Sequence, residues 1–118
     1  MAVVQFTEAA SGYAGNDVLF VTWTGMATSD TGTPYQAPGW ADRSVQIDGT
    51  FGGSTVTFEG SNDGISYYVL TDPQGGAISK TTGAIEAISE LTRYVRPVVT
   101  GGAAAAVKVS LCARRVGL

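Results

Sequence analysis

The chain has 118 residues, of which 44% are apolar and only 14% charged, and ten acidic against seven basic side chains give a formal net charge of −3. This length fits one domain with an ordinary core, and the acidic balance argues against nucleic acid, which needs clustered Lys and Arg. Histidine is absent, which excludes histidine-based acid–base chemistry, the Ser-His-Asp arrangement and the commonest zinc ligand.

Residues 2–6 form a short apolar lead, and residues 7–17 are turn-rich, with Gly12, Gly15 and Asn16. Together residues 1–17 read as an N-terminal arm or an edge strand. No basic leader precedes a long apolar segment, so neither classical secretion nor a membrane span is expected. Residues 18–24 read as a strand with Leu19, Val21 and Trp23 on one face and Val18 and Phe20 on the other. Apolar groups on both sides mean that this strand is central or that one face meets another chain, as in a homo-oligomer of two or three copies. Residues 25–42 then lose all periodicity, with Gly32, Pro34, Pro38 and Gly39 spaced so that no element runs far. They read as a long loop carrying Tyr35 and Trp40. Such a loop is either a docking element with aromatic anchors or a plug in which Trp40 folds back over the core.

From Arg43 to Arg96 short alternating strands recur between glycine-rich turns. Val45-Gln46-Ile47-Asp48 and Thr55-Val56-Thr57-Phe58-Glu59 alternate apolar and polar, as a sheet between core and water requires. The intervening residues 48–53 read as a hairpin connection, and Ser61-Asn62-Asp63-Gly64 as a second tight turn. A strand over 67–71, a turn over Asp72-Pro73-Gln74-Gly75-Gly76 and a short strand over 77–80 follow. In residues 83–91, Ile85, Ile88 and Leu91 have helical spacing, but Gly83 and the neighbouring strands favour a mostly extended segment. Residues 93–100 read as a strand in which Pro97 implies an edge position or a bulge. After Gly101-Gly102, the last strand points Val107, Val109 and Leu111 inward and Lys108, Ser110 and Cys112 outward. Strands at this spacing with no long helix predict a single all-β domain, an antiparallel β-sandwich or jelly roll.

Little here offers chemistry. Asp48, Glu59, Asp63 and Asp72 near strand ends suit calcium or a glycosidase pair in principle, but acids in Asn-Asp-Gly and Asp-Pro turns usually bond the local backbone. No Gly-x-Ser-x-Gly elbow is present, and neither Gly52-Gly53 nor Gly75-Gly76 precedes a helix or a phosphate-binding lysine. Cys112 is the single cysteine, so it forms no internal disulfide and reads as a small filler on a sheet face, compatible with a reducing cytoplasm. The expectation is a protein that is not an enzyme, with no cofactor and no metal. Its candidate contact residues are Val18 and Phe20, the aromatics Tyr35 and Trp40, and Arg114 and Arg115, which can pair with acids of a neighbouring subunit.

Glu59-Gly60-Ser61-Asn62-Asp63-Gly64 through Tyr67, with Asp72-Pro73-Gln74-Gly75, Leu91-Thr92-Arg93-Tyr94-Val95-Arg96-Pro97 and Thr100-Gly101-Gly102, resembles small tailed-bacteriophage virion proteins of the capsid decoration or cement type. The resemblance covers residues 43–115. It implies a non-enzymatic structural protein on the capsid surface, assembled in the host cytoplasm, with the major capsid protein as partner. The shorter pair Ser-Asn-Asp-Gly…Tyr and Arg-Tyr-Val-Arg is also similar to discoidin-like jelly rolls, which implies a sugar-binding module of a phage tail or fibre as the alternative. In that case Tyr35, Trp40 and Tyr67 are the side chains to stack on sugar. Tyr67 stands where such domains usually carry tryptophan, and their paired cysteines are missing.

Overall fold

The computed structural model describes residues 2–10 and 18–115. Twelve strands make up the described fold: β1 (Val3–Val4), β2 (Phe6–Ala10), β3 (Val18–Met26), β4 (Thr31–Gly32), β5 (Tyr35–Gln36), β6 (Ala41–Thr50), β7 (Thr55–Ser61), β8 (Tyr68–Val69), β9 (Ser79–Lys80), β10 (Ala84–Ala87), β11 (Tyr94–Thr100) and β12 (Ala106–Arg114). A front sheet runs β10-β6-β12-β3-β2, and a back sheet runs β1-β4-β11-β7-β8, with β5 also on β11 and β9 also on β7. From β3 to β12 the chain passes repeatedly from one sheet to the other, and the central strands β3 and β12 pair with each other. This is the wrapped order of a jelly roll. All pairs are antiparallel except the short β1–β4 contact.

Period-two alternation fixes which side chains meet between the sheets. In β3, Leu19, Val21 and Trp23 are buried; β12 contributes Val107, Val109 and Leu111, β6 contributes Val45 and Ile47, and β7 contributes Val56 and Phe58. Trp23 sits edge-on to Phe58 and Phe6, with ring centroids 6.1 and 6.2 Å away. Its indole N–H donates to the carbonyl of Thr33 at 3.0 Å, so this large ring is buried without an orphaned donor.

Several connections differ from their sequence reading. Residues 48–53 are not a hairpin, because β6 and β7 lie in different sheets. The segment is a corner, and it packs on the matching corner between β11 and β12: Ala103 N–H donates to Gly52 C=O at 2.9 Å, and Ser54 Oγ donates to Gly101 C=O at 2.8 Å. Gly52 has φ +59, and a Cβ there would lie 2.0 Å from the Ala103 carbonyl oxygen, so the approach demands glycine. The turn after β7, in contrast, does close a hairpin, with Gly60 opposite Tyr68.

The stretch 25–42 is not a free loop. It contains β4 and β5, which pair with β11, and it places Asp30, Tyr35 and Ala37 in the interior. Asp30 accepts from the backbone N–H of Ala27 at 2.8 Å and of Ala2 at 3.1 Å, which ties the start of the described chain to this stretch. Sequence periodicity fails here because the strands are two residues long. Their separation is explained by Pro97. Phe58, opposite Pro97, directs its N–H and C=O to Ile78 and Leu70, so the proline nitrogen points the other way, toward the break between β4 and β5. β11 is therefore interior rather than an edge, and the missing donor falls where no ladder bond is needed. Residues 3–10 supply β1 and β2, the latter at the edge of the front sheet; residues 11–17 lie outside the described residues.

Candidate functional site

The outer face of the front sheet has no layer over it among the described residues. Its side chains follow from register. One row across the strands is Ile85, Gln46, Ser110, Thr22 and Thr7; the next includes Ala87, Ser44, Cys112 and Phe20; Arg114 and Val18 follow. Phe20 is 44% exposed and Ile85 65% exposed, while Val18 and Cys112 are half-buried. Between them lie only hydroxyl, methyl and amide groups. Charge is confined to the two ends of the face: Lys108 lies opposite Asp48 at one end, and Arg114 holds Asp42 at 2.6 Å at the other. Such a field costs little to dehydrate, since the groups most expensive to strip of water are at its margins.

Arg114 thus pairs within its own chain, where the sequence suggested acids of a neighbour. Arg115 places its guanidinium 5.0 Å from the ring centre of Trp40, a cation–π contact at the rim of the same face. Trp40 itself is half-buried and packs against the core, as the plug reading has it. Tyr35 is no surface anchor. It is 8% exposed and meets Phe6 edge-on at 5.1 Å; burial first, then the hydrogen bond to Glu8 and that residue's charge, push its phenol pKa well up. The structure therefore brings Val18, Phe20 and Arg114 onto one face, sets Trp40 and Arg115 at its edge and removes Tyr35.

Arg43 frames that edge and is absent from the sequence reading of the site. It is buried, with Nε donating to Trp40 C=O at 2.7 Å and Nη2 donating to Thr92 C=O at 2.7 Å and to Ala37 C=O. Carbonyl oxygens from two loops surround the cation, and burial lowers its pKa. The available signal was parity: 43, 45 and 47 share one face of β6, and Val45 and Ile47 are plainly core.

A separate cleft of about 630 Å³ opens at one end of the sandwich, lined by residues including Ser61, Asp63, Tyr68, Glu90 and Thr92. Its acids are engaged by their surroundings. The backbone N–H groups of Ile65 and Ser66 and the hydroxyl of Ser61 hold the Asp63 carboxyl down at about 2. Burial opposes ionisation of Glu90, but bonds from the Thr71 hydroxyl and N–H outweigh it and lower its pKa. Among the described residues no three His, Cys, Asp or Glu side chains gather as metal ligands. No helix there is long and apolar enough to cross a membrane.

No family model and no curated protein matches this sequence. The fold is similar to that of YomS, a protein derived from the SPBc2 prophage, at TM-score 0.62 and 10% identity over 81% of this chain and 94% of that one. Weaker likenesses include KdgF from Halomonas sp., at TM-score 0.43 and 12% identity over 94% and 82% of the two chains. Another is an RmlC-like cupin protein from Desulfovibrio desulfuricans, at TM-score 0.43 and 9% identity over 92% and 82%. The strand order of the two sheets makes the architecture an all-β jelly-roll sandwich in a single domain.

Proposed function

We propose that this chain is a non-enzymatic virion structural protein that docks its front sheet on the outside of a phage capsid and stabilises contacts between subunits of the major capsid protein. The observation that carries the reading is the uncharged outer face with Phe20 exposed near its centre and its charges held at the two ends. The likeness to a prophage-derived protein supports the phage setting. The mechanism is mass action: a protein that binds the assembled shell but not separated subunits stabilises the shell by its binding free energy, and many repeated sites multiply the effect. Residues sharing one rigid sheet lose little freedom on docking, which favours affinity.

The test mixes the protein with heads of its own phage prepared without it, sediments them, and records bound protein and the temperature at which DNA is released. Saturable binding with a raised release temperature is expected. Heads that neither bind the protein nor gain stability contradict the proposal.

One observation favours the alternative, a carbohydrate-binding module of a tail or fibre. Of the aromatic residues that reading relied on, Tyr35 is buried, Tyr67 lies under Arg96 and Trp40 lies under Arg115. Tyr68, however, is 75% exposed at the end cleft. A glycan array on which the protein binds, and Tyr68→Ala does not, would shift the assignment there.

A further inference from the structure

The edge strand β10 carries an interaction surface of its own. Among the described residues it pairs with β6 on one side only, and a two-stranded contact of this kind leaves the other row of backbone donors and acceptors open to them. The direction of each group follows from register. Ile88 N–H donates to Arg43 C=O at 2.9 Å, which makes that pair hydrogen-bonded. By alternation the pairs Glu86–Val45 and Ala84–Ile47 are hydrogen-bonded as well, and the N–H and C=O of Ile85 and Ala87 point away from β6. Of the usual edge protections β10 has only its short length of four residues and one inward-parity charge, Glu86, which Lys80 of β9 holds at 2.7 Å; it has no proline and no charge on its outer parity. Instead the strand exposes Ile85, at 65%.

We propose that β10 pairs antiparallel with β10 of a second copy about a two-fold axis at Ile85, joining two front sheets into one. Side-chain parity restricts the choice of register, because opposite residues must lie on the same face. A centre at Glu86 sets that carboxylate against its own copy in a non-hydrogen-bonded pair, where Cα atoms approach to about 4.5 Å and like charges repel. A centre at Ile85 sets isoleucine against isoleucine, Glu86 against Ala84, and Ala87 against Gly83, which has no side chain to clash. In that register Ile85 exchanges both backbone bonds with its copy, and Ala87 does so with Gly83. The paired Ile85 side chains then lie beside a groove of about 340 Å³ lined in part by Gln46, Asp48 and Ala84. This pairing leaves Phe20 uncovered, so it is compatible with the docking proposed above but does not rest on it.

The experiment uses the full chain carrying Cys112→Ser, with Ile85→Cys, Glu86→Cys or Phe20→Cys added singly. Opposed residues of a hydrogen-bonded antiparallel pair, as Ile85 and its copy form here, have Cα separations of about 5.5 Å, within disulfide range. Mild oxidation is expected to link the Ile85→Cys chains at least about tenfold faster than the other two, and light scattering of the parent at high micromolar concentration is expected to give a dimer. Ala87→Pro removes a donor that β6 does not use; with Ile85→Glu as a second variant, it is expected to weaken the dimer at least about tenfold while leaving the β-rich circular dichroism in place. A monomeric parent, faster crosslinking through Phe20→Cys, or a dimer equally tight in both edge variants overturns the proposal.

Discussion

The outer faces of the two sheets are built from similar strands but finished differently. On the back sheet, Arg96 lies over the Tyr67 ring at 3.8 Å from its centre and reaches Glu59 at 3.1 Å, and Arg93 approaches the Tyr94 ring at 5.3 Å. Charge, aromatic surface and hydrogen bonds close on one another there, and only Val69 of the edge strand β8, opposite Glu59, leaves a large apolar side chain exposed on that row. Tyr67 shows the balance: burial raises its phenol pKa while Arg96 pulls it down. On the front sheet the centre has no ion pair among the described residues, and Phe20 projects from among hydroxyl and methyl groups. A face whose polar groups satisfy each other has little to gain from a partner. A face that leaves an aromatic ring exposed in an uncharged field gains by being covered.

The largest effect is expected from breaking the frame on which the front face depends. Arg43→Met leaves the carbonyls of Trp40 and Thr92 without their donor in the interior, and Ala37 C=O with only the Trp40 N–H at 3.2 Å. A loss of about 3 kcal/mol in urea unfolding is expected, at about 1–3 kcal/mol for each unsatisfied group offset by partial rearrangement. If Arg43→Met unfolds at the parent's midpoint, the two loops are held by something else.

Phe20→Glu changes the front face alone. A charge in the centre of the front face is expected to weaken particle binding about 100-fold, near 2.7 kcal/mol, with the melting temperature unchanged because the side chain faces away from the core. Undiminished sedimentation of the variant with heads would move the docking surface elsewhere.

Tyr67→Ala is the matching change on the back sheet. Removing the ring under Arg96 is expected to lower stability by about 1 kcal/mol and to leave particle binding alone. A variant that keeps its stability and loses binding would reverse the roles assigned to the two faces.

The smallest effect is local and depends on pH. The folded Asp63 pKa lies near 2, below the ordinary carboxyl value of about 4. The ionised carboxylate therefore supports the 61–66 turn fully above pH of about 4, and this support is lost as pH falls toward 2. The amide resonances of Ile65 and Ser66 are expected to shift and exchange faster across that window, and Asp63→Asn is expected to abolish the dependence. Amides that stay unchanged from pH 5 to pH 2 would mean that the carboxylate does not organise the turn.

Much of the fold was legible because burial follows parity: the inward and outward sets of β3, β6, β7 and β12 are those that alternation assigns, except at the strand ends Met26, past a register shift, and Ser61. The paired-sheet route was not. Residues 48–53 have hairpin composition, and only the third dimension shows that β6 and β7 separate into different layers. Strands of two residues, such as β4 and β5, carry no periodic signal, so Tyr35 read as a loop anchor although it belongs to the core. Val18 and Phe20 were visible as a surplus of apolar groups on the outer parity of β3. Ile85 was obscured because its spacing to Ile88 suggested a helix, and its exposure depends on β10 having only one neighbour.

A reconstruction by electron cryomicroscopy of heads carrying this protein shows which face of the sandwich meets the shell. The front sheet is expected to face the shell, with Phe20 in contact with the major capsid protein and the Arg96–Tyr67 face turned to solvent. A map in which the back sheet or the end cleft meets the shell, or in which the protein occupies only the tail, would contradict it.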